Sequence, residues 1–309
     1  MGDINFTNVW PFNEIHDVTS DGQAMVYIPK IYVRNTQLPA TAAYAGKWQC
    51  SISNKKIDDS WHVHSAFMNN GVEVSGIEIG KYIASKDVDG TPLSVQDGAP
   101  WTAIAEADIP TCVNKRNING DSADRQGWHP YNIYEHHLLA RLMLIEYGTG
   151  DLSKAITGKE GGTNATYHGI TNVWGTDGTR IYLPGIYLRD KASGYKDGVK
   201  VRVLYFTSRT GKDVTDIAGD HCVIFCDQDY ILSSFMHGSG KDAIADDLFI
   251  ISGQTYHNSE PAMFTGHQYF PYSYCSFTTE SSGPVSLSYW GYPTYGTPDI
   301  SFRLARYVQ

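Results

Sequence analysis

The chain has 309 residues, of which 41% are hydrophobic, 13% aromatic and 18% charged, and its formal net charge at pH 7 is −9. Binding to nucleic acid or to an anionic membrane surface needs clustered Lys and Arg, so this charge argues against both kinds of partner. The 30 glycines and the low charged fraction favour many turns and short strands over a helical bundle, and no apolar run approaches the length of a membrane span.

The cysteines show no pattern of a disulfide framework, because their number is odd and they are spread widely. Cys222 and Cys226 lie four residues apart, as residues on one face of a strand do, and two buried thiols are the favoured interpretation. The first residues show neither the basic nor the apolar region of a secretory signal. We therefore expect a soluble chain that is made in a reducing compartment. The five cysteines are Cys50, Cys112, Cys222, Cys226 and Cys275.

Strands and turns dominate the first part of the chain. Residues 1–20 are polar, and we expect them to form an irregular N-terminal segment. Residues 24–34 have a strand pattern interrupted by Pro29, which predicts an edge strand or a bulge at that residue. Further predicted elements are strands at 62–67 and 74–82, a turn at Asn69-Asn70-Gly71, and a loop at 86–126 with a short helix near residues 104–107.

The clearest predicted helix follows Pro130. Asn132 can cap its N-terminus, and Glu135 three residues later completes a capping-box pattern. Apolar residues then keep close to a 3.6-residue stripe until Gly148, which ends the helix. After a loop at 150–180, short strands are predicted at residues 180–183, 186–189, 200–207, 221–227, 230–236, 248–251 and 300–307.

This combination of one strong helix, one weak helix, many short strands and long loops is typical of the α+β class. No fixed-period repeat is present, so solenoid and propeller architectures are disfavoured. No residue range marks a convincing domain boundary. We therefore expect the N-terminal segment, residues 1–20, to be followed by a single domain at residues 21–309.

The last quarter of the chain has an unusual composition. From Asp242 to Phe302 there is no Lys or Arg, and seven of the 21 tyrosines lie between Tyr256 and Tyr295. Tyr and Trp provide large, rigid contact area at low entropic cost, and Ser and Gly add adaptable polar contacts, as in antibody paratopes. This Tyr-rich segment, about residues 256–299, is interpreted as a binding surface. A Tyr-rich β-core or an ordinary aromatic surface is the alternative that composition leaves open.

Candidate metal sites in the sequence are weak. Three histidine pairs have no Cys or carboxylate at a recurring ligand spacing, and the HExxH pattern is absent, so structural or surface histidines are favoured. Asp and Gly clusters at 87–90 and 242–247 could hold calcium through oxygen ligands, but turn chemistry is the favoured interpretation. We expect no cofactor, and a structural calcium ion stays open. The histidine pairs are His62 with His64, His136 with His137, and His257 with His267.

Five short motifs occur in a characteristic order. Together they resemble the C-type lectin fold of the formylglycine-generating-enzyme type, over about residues 25–306, and are particularly similar to proteins of phages and prophages that include tail-tip adhesins. The motifs are Met-Val-Tyr-Ile-Pro at 25–29, Ile-Gly-Lys-Tyr-Ile-Ala-Ser at 79–85, Pro-Trp at 100–101, Gly-Trp-His-Pro-Tyr-Asn-Ile-Tyr-Glu at 127–135 and Ile-Ser-Phe-Arg-Leu-Ala-Arg at 300–306.

One branch of that fold contains the variable proteins of diversity-generating retroelements, such as the major tropism determinants of phages. In these proteins the segment before the final strand displays varied residues on a rigid scaffold. Adenine-directed mutagenesis of asparagine-type codons yields Tyr, Ser, Asp and His, among others, but does not yield Lys. The Tyr-rich segment, which lacks Lys and ends just before residue 300, is similar to such a variable region.

The resemblance implies a receptor-recognition protein without catalytic activity, whose hypervariable surface binds a protein or glycan on a bacterial cell. It also implies a location at a virion tail tip or on a bacterial cell surface, with no membrane insertion, and it leaves an oligomer open. We expect Trp290 and a few tyrosines to dominate binding, with Tyr289 and Tyr292 foremost, although Trp290 is also the ring that a fold would most readily bury. The implied ligand-binding residues are Tyr256, His257, Phe264, His267, Tyr269, Tyr272, Tyr274, Tyr289, Trp290, Tyr292 and Tyr295.

Two alternative functions belong to the same fold. Formylglycine-generating enzymes carry two closely spaced cysteines shortly before the terminal motif, where they bind copper. This chain has only Cys275 in that region, and Cys222 and Cys226 lie too far upstream, so oxidase chemistry is disfavoured. A purely structural component of a phage tail or baseplate is the other alternative, and it predicts that the Tyr-rich segment is buried in an assembly.

Overall fold

The computed structural model describes most of the first half of the chain and selected segments of the second. The described residues are 5–37, 48–105, 108–118, 122–147, 165–174, 180–182, 189–196, 199–205, 232–235, 249–251, 271–273, 287–289 and 300–309.

Short strands are the commonest elements of the described residues. The helices are α1 (Ile109–Asn114) and α2 (Ile133–Tyr147), with 3-10 turns at Phe6–Asn8, Ser65–Phe67 and Ala123–Arg125. The strands are β1 (His16–Ser20), β2 (Gln23–Pro29), β3 (Tyr32–Gln37), β4 (Trp48–Ser53), β5 (His62–Val63), β6 (Met68–Asn69), β7 (Val72–Glu73), β8 (Gly76–Gly80), β9 (Ser85–Lys86), β10 (Pro92–Leu93), β11 (Trp128–Pro130), β12 (Ala165–Tyr167), β13 (Ile170–Trp174), β14 (Arg180–Tyr182), β15 (Arg189–Lys196), β16 (Val199–Tyr205), β17 (Leu232–Phe235), β18 (Phe249–Ile251), β19 (Pro271–Ser273), β20 (Leu287–Tyr289), β21 (Ile300–Ser301) and β22 (Leu304–Val308).

The largest sheet of the described residues has five strands in the order β1-β2-β8-β22-β11, and each neighbouring pair is antiparallel. The C-terminal strand β22 therefore lies inside the sheet, between β8 and β11. All five residues of β8 are buried, as expected for a strand that is covered on both faces. Residues 304–308 thus belong to the same sheet as β1 and β2.

The expectation that residues 1–20 are irregular is wrong for residues 16–20, which form the edge strand β1. The turn between β1 and β2 consists of Asp21 and Gly22, with φ values of 45° and 72°. A two-residue turn with positive φ at both positions is the type I′ turn, for which Asp-Gly is a strong sequence signal. The polar residues before this turn are explained by the exposure of His16, Asp17 and Thr19.

A buried hydrophobic cluster joins this sheet to α1. Its members come from distant parts of the sequence, and Val18, Trp101 and Cys112 pack against it from less buried positions. Burying such side chains contributes roughly 1.5–3 kcal/mol each for the larger aliphatic and aromatic residues. The cluster consists of Met25, Ala84, Ile104, Ile109, Val113, Trp128, Phe302 and Leu304.

The predicted capping box of α2 is confirmed. The Asn132 side chain accepts hydrogen bonds from the backbone N–H groups of Tyr134, at 3.0 Å, and Glu135, at 3.2 Å. In return, the Glu135 carboxylate accepts the backbone N–H of Asn132 at 2.8 Å. These bonds satisfy donors that a helix N-terminus otherwise leaves unpaired. Leu138 and Leu142, both on the predicted apolar stripe, are completely buried.

Several other local predictions are confirmed or corrected. The turn at Asn69-Asn70-Gly71 joins β6 to β7. The interrupted strand predicted at 24–34 corresponds to β2 and the first half of β3, which continues to Gln37. The edge-strand interpretation of Pro29 is wrong, because β2 lies between β1 and β8. Pro29 is its last residue, beyond the register with β1, where no neighbour needs its missing N–H.

The weak helix is displaced from its predicted position. It was expected near residues 104–107, whereas α1 is Ile109–Asn114. Pro110 lies in its first turn, where a helix needs no N–H donor and where proline is favoured. The predicted strand at 62–67 is β5 followed by a 3-10 turn.

Five of the strands predicted after residue 179 overlap strands of the structure. Those at 180–183, 200–207, 230–236, 248–251 and 300–307 overlap β14, β16, β17, β18 and the pair β21 and β22. Strands β12, β13, β15, β19 and β20 were not predicted, and the expected loop at 150–180 is wrong for the residues of β12 and β13. The strands expected at 186–189 and 221–227 lie largely or wholly outside the described residues. Small antiparallel sheets with few helices are compatible with the predicted α+β class.

Gly127 illustrates how closely β11 and β22 approach each other. Its φ is +80°, and a Cβ at this position would lie 2.6 Å from the backbone oxygen of Tyr307. We expect Gly127→Ala to lower the free energy of unfolding by about 2 kcal/mol, through strain at positive φ and displacement of backbone. Gly22 has a similar φ of +72° with open space around it, so Gly22→Ala is the matched control. Equal losses in urea unfolding of the two variants would contradict the steric explanation.

Candidate ligand-binding surface

The Tyr-rich segment leads directly into a deeply buried part of the chain. Residues 301–307, here called the C-terminal anchor, are all buried. Within it, the carbonyl of Phe302 accepts the backbone N–H of Ala84 at 2.9 Å, and the carbonyl of Arg303 accepts that of Tyr131 at 2.8 Å. The point at which the chain leaves the Tyr-rich segment is therefore held by backbone bonds to two separate loops.

Arg303 is the central side chain of the C-terminal anchor and is only 1% exposed. Its guanidinium donates to the carbonyl of Gly80 at 2.6 Å and to that of Thr171 at 2.5 Å. Burial lowers the pKa of Arg303 to about 10, while the nearby Tyr131 hydroxyl opposes the shift. The side chain thus remains a cation at neutral pH and joins the residue before β22 to the end of β8 and the start of β13.

Arg306 connects the C-terminal anchor to the first hairpin. Two of its nitrogens bind the two carboxylate oxygens of Glu78, at 2.8 and 2.6 Å, in a bidentate pair. Other donors reach the carbonyl of Ala123 at 2.9 Å and the hydroxyl of Ser20 at 3.3 Å. Both partners of the ion pair are nearly inaccessible, with side-chain exposures of 8% and 6%. Such a pair is geometrically specific, because the planar guanidinium matches the carboxylate.

Two of the predicted ligand-binding residues lie on described strands. Strand β21 belongs to a four-stranded sheet of order β20-β19-β14-β21, which links the C-terminal anchor to the Tyr-rich segment. Tyr272, on β19, is in register with Tyr182 and Ser288, and Tyr289, on β20, is in register with Pro271. The structure thus brings Tyr272 and Tyr289 into one sheet, on neighbouring rungs of the same antiparallel pair.

The other predicted ligand-binding residues lie outside the described residues, so their expected roles stay predictions. They are Tyr256, His257, Phe264, His267, Tyr269, Tyr274, Trp290, Tyr292 and Tyr295.

Two members of the predicted histidine pairs, His64 and His136, are buried. His64 has no exposed surface, and its Nδ1 accepts the backbone N–H of Ala66 at 3.1 Å, at the start of a 3-10 turn. His136 lies 3.2 Å from the hydroxyl of Tyr131 in a buried contact. Across the described residues, no three His, Cys, Asp or Glu side chains are grouped as metal ligands would be. The pair His257 and His267 lies outside these residues.

Residues 87–90 form a turn, as favoured from the sequence, and hydrogen bonds with nearby residues of the chain stabilise it. The Asp87 carboxylate accepts the backbone N–H groups of Asp89 at 2.9 Å and Thr91 at 2.7 Å, and the bond from Thr91 is the main cause of its lowered pKa. The ammonium of Lys115 donates to the carbonyls of Asp89 and Gly90, at 2.9 and 3.0 Å. Two carbonyl oxygens of this loop are thus bonded to a cation of the protein itself. The cluster at 242–247 lies outside the described residues.

Sequence reasoning assigned no role to Arg303 beyond its place in a motif. The available signal was an arginine flanked by the apolar residues Phe302 and Leu304 in the predicted strand at 300–307. A charged residue at such a position is rarely buried unless several acceptors surround it. Among the cysteines, Cys112 is free and partly buried, and Cys222, Cys226 and Cys275 lie outside the described residues.

No family model matches this chain, and no curated protein matches it either. Among the described residues, neither helix has the length and apolar character that crossing a bilayer requires.

Proposed function

We propose that this chain is a receptor-recognition protein that presents the Tyr-rich segment on a rigid scaffold of the C-type lectin fold, of the formylglycine-generating-enzyme type. The observation that carries the proposal is the direct passage from a stretch without Lys or Arg, residues 242–302, into the buried C-terminal anchor. A segment of paratope-like composition is thereby attached to a buried and extensively hydrogen-bonded part of the described chain.

Rigid attachment favours binding for a physical reason. Association costs free energy for every loop or side chain that becomes ordered, so a surface that is already fixed loses less entropy. The side chains of Arg303 and Arg306 donate six hydrogen bonds that fix the C-terminal end of the segment. Four go to carbonyl or hydroxyl oxygens and two to the carboxylate of Glu78. The Arg303 carbonyl also accepts a backbone N–H. Tyr and Trp rings then provide contact area with only two rotatable side-chain bonds each.

The proposed partner is a protein or glycan on a bacterial surface, and the proposed setting is a phage or prophage tail tip. Support comes from the composition of the Tyr-rich segment, which lacks the residue that adenine-directed mutagenesis cannot produce. Aromatic rings stack on sugar faces and pack against protein side chains, while their hydroxyl groups and the neighbouring Ser and Gly form polar contacts. The chain would act by binding alone.

Binding can be tested with the labelled full-length chain and a panel of fixed bacterial strains. We expect at least one strain to bind it, and Tyr292→Ala or Tyr295→Ala to weaken that binding about 30-fold, as loss of a hot-spot ring does. The melting temperature should change by less than about 2 °C in both variants, since an outward ring contributes little to folding. Treating the cells with protease or periodate then separates a protein receptor from a glycan.

Tyr147 is the matched control, because it is an exposed tyrosine at the end of α2 and outside the Tyr-rich segment. Tyr147→Ala should leave cell binding unchanged. If Tyr292→Ala and Tyr295→Ala each lower the melting temperature by several degrees, these rings belong to the core and the proposal is wrong. If the folded chain binds no strain of the panel, the structural role in a tail or baseplate is favoured instead.

A further inference from the structure

The two edges of the five-stranded sheet differ in whether their outward backbone groups have hydrogen-bond partners. At the β11 edge, the side-chain amide of Asn117 accepts the backbone N–H of Trp128 at 2.9 Å and donates to its carbonyl at 2.8 Å. The amide thus takes the place of a neighbouring strand, and Pro130 has no N–H to offer. A covering side chain and a proline therefore prevent a further strand from pairing with this edge, as is common in natural sheets.

At the β1 edge, no described strand pairs with the outer side of β1. The register of the β1–β2 hairpin, with Ser20 opposite Gln23 across the two-residue turn, directs the backbone groups of His16, Val18 and Ser20 toward β2. The groups of Asp17 and Thr19 therefore point away from the sheet. Within the part of the chain that the structure describes, the backbone N–H and C=O groups of these two residues form no hydrogen bond, and both residues are exposed.

The outward backbone groups of Asp17 and Thr19 are bounded on both sides by groups that already have partners. Before them, the N–H of Ile15 donates to the carbonyl of Pro11 at 3.2 Å, and after them the N–H of Asp21 donates to the carboxylate of Asp124 at 3.3 Å. Only residues 17–19 remain available for pairing. A long peptide strand would meet the occupied groups at either end, whereas another strand as short as β1 fits between them.

Two carboxylates at this edge form ion pairs within the chain, whose net charge is −9. Asp17 forms an ion pair with Lys81 at 2.5 Å. Asp21 forms pairs with Arg116 at 2.7 Å and Arg125 at 2.9 Å. These ion pairs reduce the repulsion that Asp17 and Asp21 would exert on a second negatively charged copy at this edge.

We propose that β1 pairs with β1 of a second copy of this chain, antiparallel and about a two-fold axis at Val18. In this register Asp17 lies opposite the partner's Thr19, and each such pair exchanges two backbone hydrogen bonds. Val18 lies opposite the partner's Val18, and since it packs on the buried cluster of its own chain, the apolar layer continues across the axis. The two five-stranded sheets become one continuous sheet.

This pairing buries little surface, so the dimer is expected to be weak and to depend on concentration. It does not require the Tyr-rich segment to bind a receptor. It would nevertheless place two such segments on one particle, which raises the apparent affinity for a surface carrying many receptors.

Sedimentation equilibrium of the full-length chain up to about 1 mM tests the pairing. Thr19→Glu places a second carboxylate opposite the partner's Asp17, twice per dimer, and should raise the dissociation constant about ten-fold. Thr19→Lys places an ammonium there instead and should lower it. Both substitutions are at an exposed position, and circular dichroism should show the same fold for each.

A chain that stays monomeric throughout this range would overturn the proposal, and so would a dimer on which the two variants have equal effects. Hydrogen exchange provides an independent readout. The amides of Asp17 and Thr19 should exchange more slowly in concentrated than in dilute wild-type protein, whereas the amides of β11 should show no such difference. Unchanged exchange at residues 17 and 19 in a dimeric sample would place the interface elsewhere.

Discussion

Arg306→Met is expected to lower the free energy of unfolding by about 3–5 kcal/mol. The substitution removes the partner of Glu78 while leaving its carboxylate 6% exposed, between β2 and β22 in the middle of the sheet. A buried charge without a partner costs far more than an exposed one, because no water replaces the lost donors. The carbonyl of Ala123 and the hydroxyl of Ser20 lose a donor as well. Urea unfolding of the variant and the wild type gives the difference directly.

The double variant Arg306→Met with Glu78→Gln separates the unpaired charge from the lost packing. We expect it to recover a large part of the stability, because the carboxylate that the first change leaves unpaired is then absent. Lys30→Met provides a comparison at an exposed ion pair. Lys30 and Glu73 lie 3.0 Å apart with side-chain exposures of 29% and 46%, so we expect a loss below about 1 kcal/mol. Similar losses from Arg306→Met and Lys30→Met would contradict the role given to burial.

Local signals in the sequence were enough for some elements. The capping box of α2 depends on residues three positions apart, and its geometry is the same in any fold. The turn at Asn70-Gly71 likewise follows from the positive φ values, 50° and 84°, that these residue types tolerate. Such features are predictable because the interactions that decide them lie within a few residues.

Other elements depended on partners that are distant in the sequence. Strand β1 was missed because its polar residues show no strand pattern, and only Asp21-Gly22 indicated a hairpin. The burial of Arg303 depends on carbonyls of Gly80 and Thr171, more than a hundred residues earlier, which no local pattern reveals. The same limit applies to the Tyr-rich segment. Its composition indicates binding, but whether each ring points outward depends on tertiary packing.

Glu135→Ala is expected to lower the free energy of unfolding by about 3 kcal/mol. Glu135 has no exposed surface, and its carboxylate serves two groups. One oxygen accepts the backbone N–H of Asn132 at 2.8 Å, and the other lies 2.5 Å from Nε2 of His129. Truncation leaves both groups without their partner, opens a cavity beneath the first turn of α2, and releases the ring that stacks on Tyr307 at 3.9 Å.

Glu135→Gln is the matched variant and should cost about 1 kcal/mol or less, because glutamine also completes a capping box. Its amide oxygen can accept the N–H of Asn132, and its amide N–H can donate to Nε2 of a neutral His129. The other ring nitrogen of His129 lies 2.9 Å from the carbonyl of Gly127 and can carry the proton. Urea unfolding of both variants checks this assignment. If glutamine destabilises as much as alanine, the negative charge of Glu135, rather than its two acceptor positions, is what the start of α2 requires.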